Sequence, residues 1–259
     1  MAMDLELEGR TALVTGASRG IGRGSALALA AEGVKLAVGA RRRELLEELA
    51  DEIVAAGGER PAIIVTPDFA ASGGGGHKVK DEALAALGHV DILVNSAGRS
   101  QNPDYPSQMP FDAPDAAWDQ EMQLNYVTIR QLTLGLVPGM IERKYGRIIN
   151  ISGKTEPKWL HTANPPKAAV HGWSKGLSRQ VAKHGVTVNS IPPGKIVSEQ
   201  ILRNYSQQER KEISKWISSG DFGDPSDIAN LVVFLASPLA RYITGAVIPV
   251  DSGFRRYAY

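Results

Sequence analysis

The sequence predicts an α/β fold: a single doubly wound domain with a seven-stranded parallel sheet and helices on both faces. Three observations lead there. Short apolar runs alternate with helix-length segments from one end of the chain to the other, the pattern of βαβ units joined by right-handed crossovers. The runs are nearly continuous in apolar residues, as strands buried on both faces of a parallel sheet must be. A glycine-rich turn, TGASRGIG at 15–22, joins the first run to the first helix. With 259 residues, 43% of them apolar, residues 1–259 can bury one large core, and no repeat period of about 20–50 residues recurs.

The elements follow in order. TALVT (11–15) reads as the first strand, and the Ala/Leu-rich stretch from Ile21 to about Glu32 as the first helix. KLAVGA (35–40) is a strand and RRELLEELADEIVAA a helix. Next come the strand AIIV (62–65), a helix ending near Leu87, and the strand VDILVN (90–95). A long helical region from about 115 to 143 precedes the strand RIINIS (147–152). A helix near 165–184, the strand VTVNSI (186–191), a helix near 225–236 and the strand AVIPV (246–250) complete the set. GGGG (73–76) reads as a plain loop. The stretches 99–114 and 192–220 follow strand C-terminal ends, where open α/β sheets place their ligands, and are the expected substrate loops.

Composition narrows the function. A net charge of +1 argues against a nucleic-acid partner. The chain has no cysteine, which excludes disulfides and thiolate chemistry, and its five histidines have no metal-ligand spacing, so no metal is expected. The acidic start MAMDLELEGR is no signal peptide, and no apolar run is long enough to span a membrane. The expectation is a cytoplasmic protein that acts on a small molecule.

The turn at 15–22 carries the first chemical signal. Gly16 allows a tight turn, Gly20 lets backbone approach a pyrophosphate, and Gly22 lets helix and strand pack closely. The helix N-terminus offers free N–H groups to phosphate, with Ser18, Arg19 and Ile21 alongside. The spacing Gly-x3-Gly-x-Gly resembles that of the short-chain dehydrogenase/reductase superfamily, in its 3-oxoacyl-reductase-like branch, and further matches follow in order. Asp68 with Phe69 resembles the family's adenine-capping segment, and Asn95-Ser96-Ala97-Gly98 its Asn-Asn-Ala-Gly. Asn125 matches the asparagine that holds the catalytic lysine's water. PPGKIVS (192–198), with Pro193, Gly194, Ile196 and Ser198, resembles the segment that grips the nicotinamide carboxamide. The resemblance implies a Rossmann fold, a nicotinamide dinucleotide, hydride transfer between carbonyl and alcohol, and a homo-oligomer, in particular a tetramer.

Cofactor choice is read at the end of the second strand. A carboxylate there would accept bonds from a ribose 2′-OH, but the position holds Ala40, followed by Arg41 and Arg42. With Arg19 these offer forked donors to a 2′-phosphate, and cations at a helix start want an anion. NADP is expected over NAD.

The acid–base group departs from the family. The resemblance implies a Tyr-x-x-x-Lys pair, a serine and an asparagine. Lys167 is placed by KAAVHGWSKGL, and four residues before it stands Ala163. No tyrosine occurs between Tyr145 and Tyr205. Pro165 and Pro166 fit only a first helical turn, with Asn164 as a favourable N-cap, so the helix is expected to begin at Asn164–Pro165 and to leave Ala163 outside it. The serine comes one residue early, Ser152 with Gly153 after it, which in a regular strand turns it to the other face unless the strand end bends. Lys167, Asn125 and Ser152 are the candidate catalytic residues. His161 is the titratable neighbour and is expected to be an exposed loop histidine, His171 and Lys175 are expected to face packing partners, Tyr126 to lie in the core, and Glu156 and Lys158 to be solvated. Two functions remain open: an NADP(H)-dependent oxidoreductase with a non-standard acid–base site, or a catalytically lapsed NADP-binding sensor or scaffold.

Overall fold

A computed structural model describes residues 4–71, 73, 75–99, 112–153, 160–198, 201–202 and 205–254. Six strands form one parallel sheet: β1 (Thr11–Thr15), β2 (Lys35–Ala40), β3 (Ala62–Val65), β4 (Ile92–Asn95), β5 (Gly146–Ile151) and β6 (Val186–Ile191), in the order β3-β2-β1-β4-β5-β6. The order reverses between β1 and β4, which opens a crevice at their C-terminal ends. Register brings Thr15 beside both Gly39 and Asn95, and Asn95 beside Asn150.

The strands alternate as a two-sided sheet requires. Ala12 and Val14 join one buried cluster with Leu29 of α1 (Gly20–Ala31), Leu46, Leu49 and Ile53 of α2 (Arg43–Ala55), and Ile228 and Val232 of a later helix. Leu13 enters the other cluster with Val79 and Ala83 of α3 (Gly76–Leu87), Leu132 and Leu136 of α5 (Thr128–Glu142), and Leu177 and Val181 of α6 (Asn164–Val181). Between α3 and α5 lies α4 (Asp115–Met122), continued into α5 by a π-helical turn at Gln123–Val127.

The expected seventh strand is a correction. Residues 246–250 dock parallel to β6, with Ser190 N–H donating to Ala246 O at 2.9 Å and Ile248 N–H to Ser190 O at 2.9 Å, yet only isolated bridges result, at Ser190–Val247 and Pro193–Val250. Pro192 has no N–H to give to the next rung, so the ladder breaks there. Pro249 is tolerated because alternate N–H groups of an edge run point away from the sheet. The loop at 192–220 also holds a helix the sequence reading missed, α7 (Gln207–Ser214), closed by a capping box between Ser206 and Glu209. A second capping box, Asp224 with Asp227, and Pro225 in the first turn start α8 (Pro225–Ala236) where expected.

Helix α6 begins at Asn164, with both prolines in its first turn. The N-cap is Ala163 rather than Asn164, at φ −81° and ψ −13° with no side-chain cap. Ala163 therefore lies outside the helix, as expected. It is also completely buried. Tyr126 is half-buried and meets Trp173 edge-on at 6.2 Å. Among the described residues no helix is long and apolar enough to cross a membrane. Gly74, residues 100–111 of the first substrate loop, Glu156, Lys158 and the tail beyond Phe254 lie outside the described residues.

Candidate active site

The glycine turn is built as its spacing requires. Gly16 has φ +68°, and a Cβ there would stand 2.8 Å from the Ala97 backbone. A Cβ on Gly22 would sit 2.3 Å from the Gly16 carbonyl oxygen, so this glycine permits the close approach of helix and turn. Gly20, at φ +54°, is different: a Cβ would find nothing nearer than Ser198 Cβ at 3.8 Å. An open cradle thus remains above the first turn of α1, whose N-cap residue, Arg19, contributes no side-chain cap. Thr15 ties the two edges of the crevice together, its hydroxyl accepting from Ser96 N–H and Ala97 N–H, both at 3.2 Å. Ser18 borders the turn half-buried, and Ile21 packs on the core below.

Across the crevice, Ala40 ends β2 buried and offers no carboxylate. Arg41 follows with most of its side chain in solvent and lies 3.5 Å from Asp68. Arg42 is the N-cap residue of α2. Asp68 Oδ1 accepts from Ala70 N–H at 3.1 Å, while Phe69 is buried in the core and anchors this loop. The segment 192–198 closes the other side. Gly194 donates to Val250 O at 2.8 Å, and a Cβ on it would strike the Asp251 backbone at 2.6 Å. Pro193 makes the bridge to Val250, Ile196 is buried, and Ser198 faces Gly20 across the cradle.

Lys167, Asn125 and Gly98 meet at the centre. A Cβ on Gly98 would lie 2.9 Å from Asn125 Oδ1 and 3.6 Å from Lys167 Nζ. The π-helical turn carries Asn125, whose Oδ1 accepts from the Arg99 N–H at 3.3 Å and whose Nδ2 donates to Glu121 Oε2 at 2.7 Å. Lys167 Nζ donates to the Ser152 carbonyl at 3.4 Å. Burial pushes its ammonium down to about 8, the charge of Glu121 opposing. Gly153 makes room for this lysine, because a Cβ there would stand 2.6 Å from Lys167 Cδ. His161, expected to be exposed, is half-buried, and burial and then the Lys167 charge hold it below its ordinary pKa, with Asn164 opposing.

Two predicted residues turn elsewhere. Asn95 is buried, its Nδ2 donating to Asn150 Oδ1 at 2.8 Å, and Asn150 in turn donates to Ser174 Oγ on α6 at 3.0 Å. The Asn95 side chain therefore joins strands to helix rather than lining the crevice. Ser152 is buried, and its Oγ lies 2.7 Å from His171 Nε2. His171, expected to face packing partners, instead grips the hydroxyl of Ser152, just beyond β5. The reason is geometric: Asn150 and Ser152 share one face of the strand, and His171 and Ser174 share the facing side of α6. The sequence reading also missed Glu121, fully buried, and Arg99, whose Nε donates to Glu121 Oε1 at 2.5 Å. Glu121 stands one helical turn before Asn125, a spacing that puts both on one face and could have flagged it.

Residues 16–255 match a family model described as enoyl-(acyl carrier protein) reductase. The chain is 33% identical over 252 residues to the 3-oxoacyl-(acyl-carrier-protein) reductase FabG of Vibrio cholerae, covering 96% of this chain and 98% of that one. Among solved structures it resembles a 7α-hydroxysteroid dehydrogenase complexed with NADH and 7-oxo glycochenodeoxycholic acid, at TM-score 0.88 and 27% identity over 98% of both chains. It also resembles the L-sorbose reductase of Gluconobacter frateurii complexed with NADPH and L-sorbose, at TM-score 0.85 and 30% identity over 98% of this chain and 100% of that one. The chain belongs to the short-chain dehydrogenase/reductase superfamily of oxidoreductases, among relatives of the 3-oxoacyl-(acyl-carrier-protein) reductases.

Proposed function

We propose that residues 1–259 act as one NADP(H)-dependent oxidoreductase unit, moving hydride to or from a carbonyl/alcohol-type substrate at a site with no tyrosine four residues before Lys167. The observation that carries this reading is an asymmetry. The turn at Gly20 is open and Asn125 and Lys167 meet at Gly98, while Ala163, four residues before Lys167, is a buried alanine. The residues fit the dinucleotide. Gly20 leaves an open backbone surface at a helix N-terminus, suited to a pyrophosphate. Ala40 presents no carboxylate to repel a 2′-phosphate, and Arg41, with Arg19 or Arg42, supplies guanidinium donors for it. Asp68 would cap the adenine and Ser198 hold the carboxamide.

When bound, a nicotinamide dinucleotide would supply or take up the hydride. In this reading Lys167 holds the ribose hydroxyls, Asn125 fixes the position of the lysine's neighbours, and Ser152, whose hydroxyl is bonded to His171, orients rather than donates. A positioned general acid contributes about 10²- to 10⁴-fold, and orientation of the reactants far more, so loss of the phenol slows transfer without ending it. The L-sorbose reductase named above was crystallised with NADPH, which supports the cofactor reading.

The engagement of Ser152 by His171 favours a second reading, a lapsed NADP-binding sensor or scaffold. A cytoplasmic homotetramer completes the proposal. The test is titration calorimetry with NADPH and NADH, followed by NADPH consumption with a panel of ketones and aldehydes. Tighter NADPH binding with turnover is expected, and equal affinities would contradict the cofactor choice.

A further inference from the structure

The Arg99–Glu121 pair lies beside the catalytic cluster and has no part in the roles given above. Arg99 follows Gly98 directly, and its backbone N–H reaches Asn125 Oδ1 at 3.3 Å. Its Nε donates to Glu121 Oε1 at 2.5 Å, and Glu121 uses its other oxygen to accept from Asn125 Nδ2 at 2.7 Å. Glu121 is wholly buried, whereas the Arg99 side chain is 24% exposed. One part of the guanidinium is unmet: Nη2 is buried with no hydrogen-bond acceptor among the described residues. A purely structural ion pair gains from satisfying every donor it buries. A buried donor left without an acceptor is destabilising until one arrives.

The charges point to the acceptor. Arg99 and Lys167 bring two positive charges and Glu121 one negative, an excess of one. A monoanion neutralises that excess. A phosphate dianion overshoots it and meets repulsion from the buried Glu121 carboxylate. Guanidinium N–H edges match carboxylate oxygens in geometry as well as charge.

Resting on the oxidoreductase reading, we propose that Arg99 anchors a carboxylate carried by the substrate, so that the enzyme takes carbonyl acids in preference to neutral ketones. Glu121 acts through Arg99 as a positioning residue: it fixes Nε and leaves Nη2 without an acceptor, which the ligand would supply. Because the arginine backbone is bonded to Asn125, the same contact sets the distance between the anchored carboxylate and the Lys167 cluster.

The experiment uses 3-oxobutanoate and its methyl ester, titrated calorimetrically into the full chain with and without NADPH. The acid is expected to bind about ten- to a hundredfold more tightly than the ester, the range of one charge-assisted contact. Arg99→Gln should abolish that preference, and Arg99→Lys, which keeps the charge but loses the fork, should keep only part of it. Since Arg99→Gln strands a buried Glu121, the double variant Arg99→Gln/Glu121→Gln removes both charges and keeps the result readable if the single variant fails to fold. Equal binding of acid and ester, or an acid preference that survives the double variant, overturns the anchor. NADPH binding without acid preference would sink the anchor and spare the cofactor reading. Acid preference without NADPH binding would do the reverse.

Discussion

Arg41 follows the second strand with its side chain 70% exposed, and Asp68, 3.5 Å away, is 54% exposed. An ion pair in that much solvent contributes little to stability, so the side chain is available to a phosphate at small cost. A charge-assisted contact to a 2′-phosphate is worth roughly 1.5–3 kcal/mol. Arg41→Ala should therefore weaken NADPH by about ten- to a hundredfold and leave NADH nearly unchanged, as read by calorimetry. At Gly22 the margin is steric. An added methyl would lie 2.3 Å from the Gly16 carbonyl oxygen, so Gly22→Ala must displace the glycine turn. About 1–3 kcal/mol of stability should be lost by overpacking, seen as a lower Tm, together with NADPH binding. Lys167 gives the pH dependence. Its folded value of about 8 lies below its ordinary 10.5, so the charged form is disfavoured by folding. The favourable contribution is present above the unfolded value and is lost as pH falls through the folded one. In urea denaturation, Lys167→Met should be more stabilising relative to the parent at pH 7 than at pH 10; a difference that grows with pH would contradict the assignment.

At the scale of elements, what was legible was local and what was not was tertiary. Two consecutive prolines allow only a first turn, so the start of α6 at Asn164 could be read directly. The helix near 225–236 was legible too, and a capping box of Asp224 with Asp227 starts it. The contact between Ser152 and His171 joins residues 19 apart, and that between Arg99 and Glu121 joins residues 22 apart. No spacing rule within one element reaches across such separations. Only Glu121, one turn from Asn125, left a trace in the sequence. The sealed environment of Ala163 was likewise invisible, because an alanine before a helix reads the same exposed or buried. That burial sharpens an expectation. Ala163→Tyr has no room for a phenol, so it should destabilise the fold and should not yield ordinary ketone reduction. Lys167→Ala should weaken NADPH binding, since Lys167 holds its place on the helix independently of residue 163. Brisk NADPH-dependent ketone reduction by Ala163→Tyr would show that the site lacks one side chain and nothing else.

For the whole molecule, apolar patterning sufficed for the doubly wound sheet, and the miscounted strand shows its limit. AVIPV has the composition of a strand and lies where one would, but the missing N–H belongs to Pro192 on the neighbouring segment. That edge and the surface near it bear on assembly. Leu239, Tyr242 and Val247 are exposed at 44%, 93% and 39%, close in sequence to the outermost run. Exposed apolar side chains and an open sheet edge both call for a cover. Light scattering should report a multiple of the 27.8 kDa chain, in particular a tetramer, and a monomer at micromolar concentration would contradict that.

On the proposed function, hydride transfer proceeds with Ala163 in place of a tyrosine four residues before Lys167. The most direct measurement supplies NADPH deuterated on one face of the nicotinamide C4 and follows the label into alcohol products from a panel of oxo acids and ketones. Transfer from one face only, at rates about 10²- to 10⁴-fold below those of a site with its general acid in place, is the expected result. Tight NADPH binding with no label in any product would contradict it and leave a cofactor-binding protein that has ceased to be an enzyme.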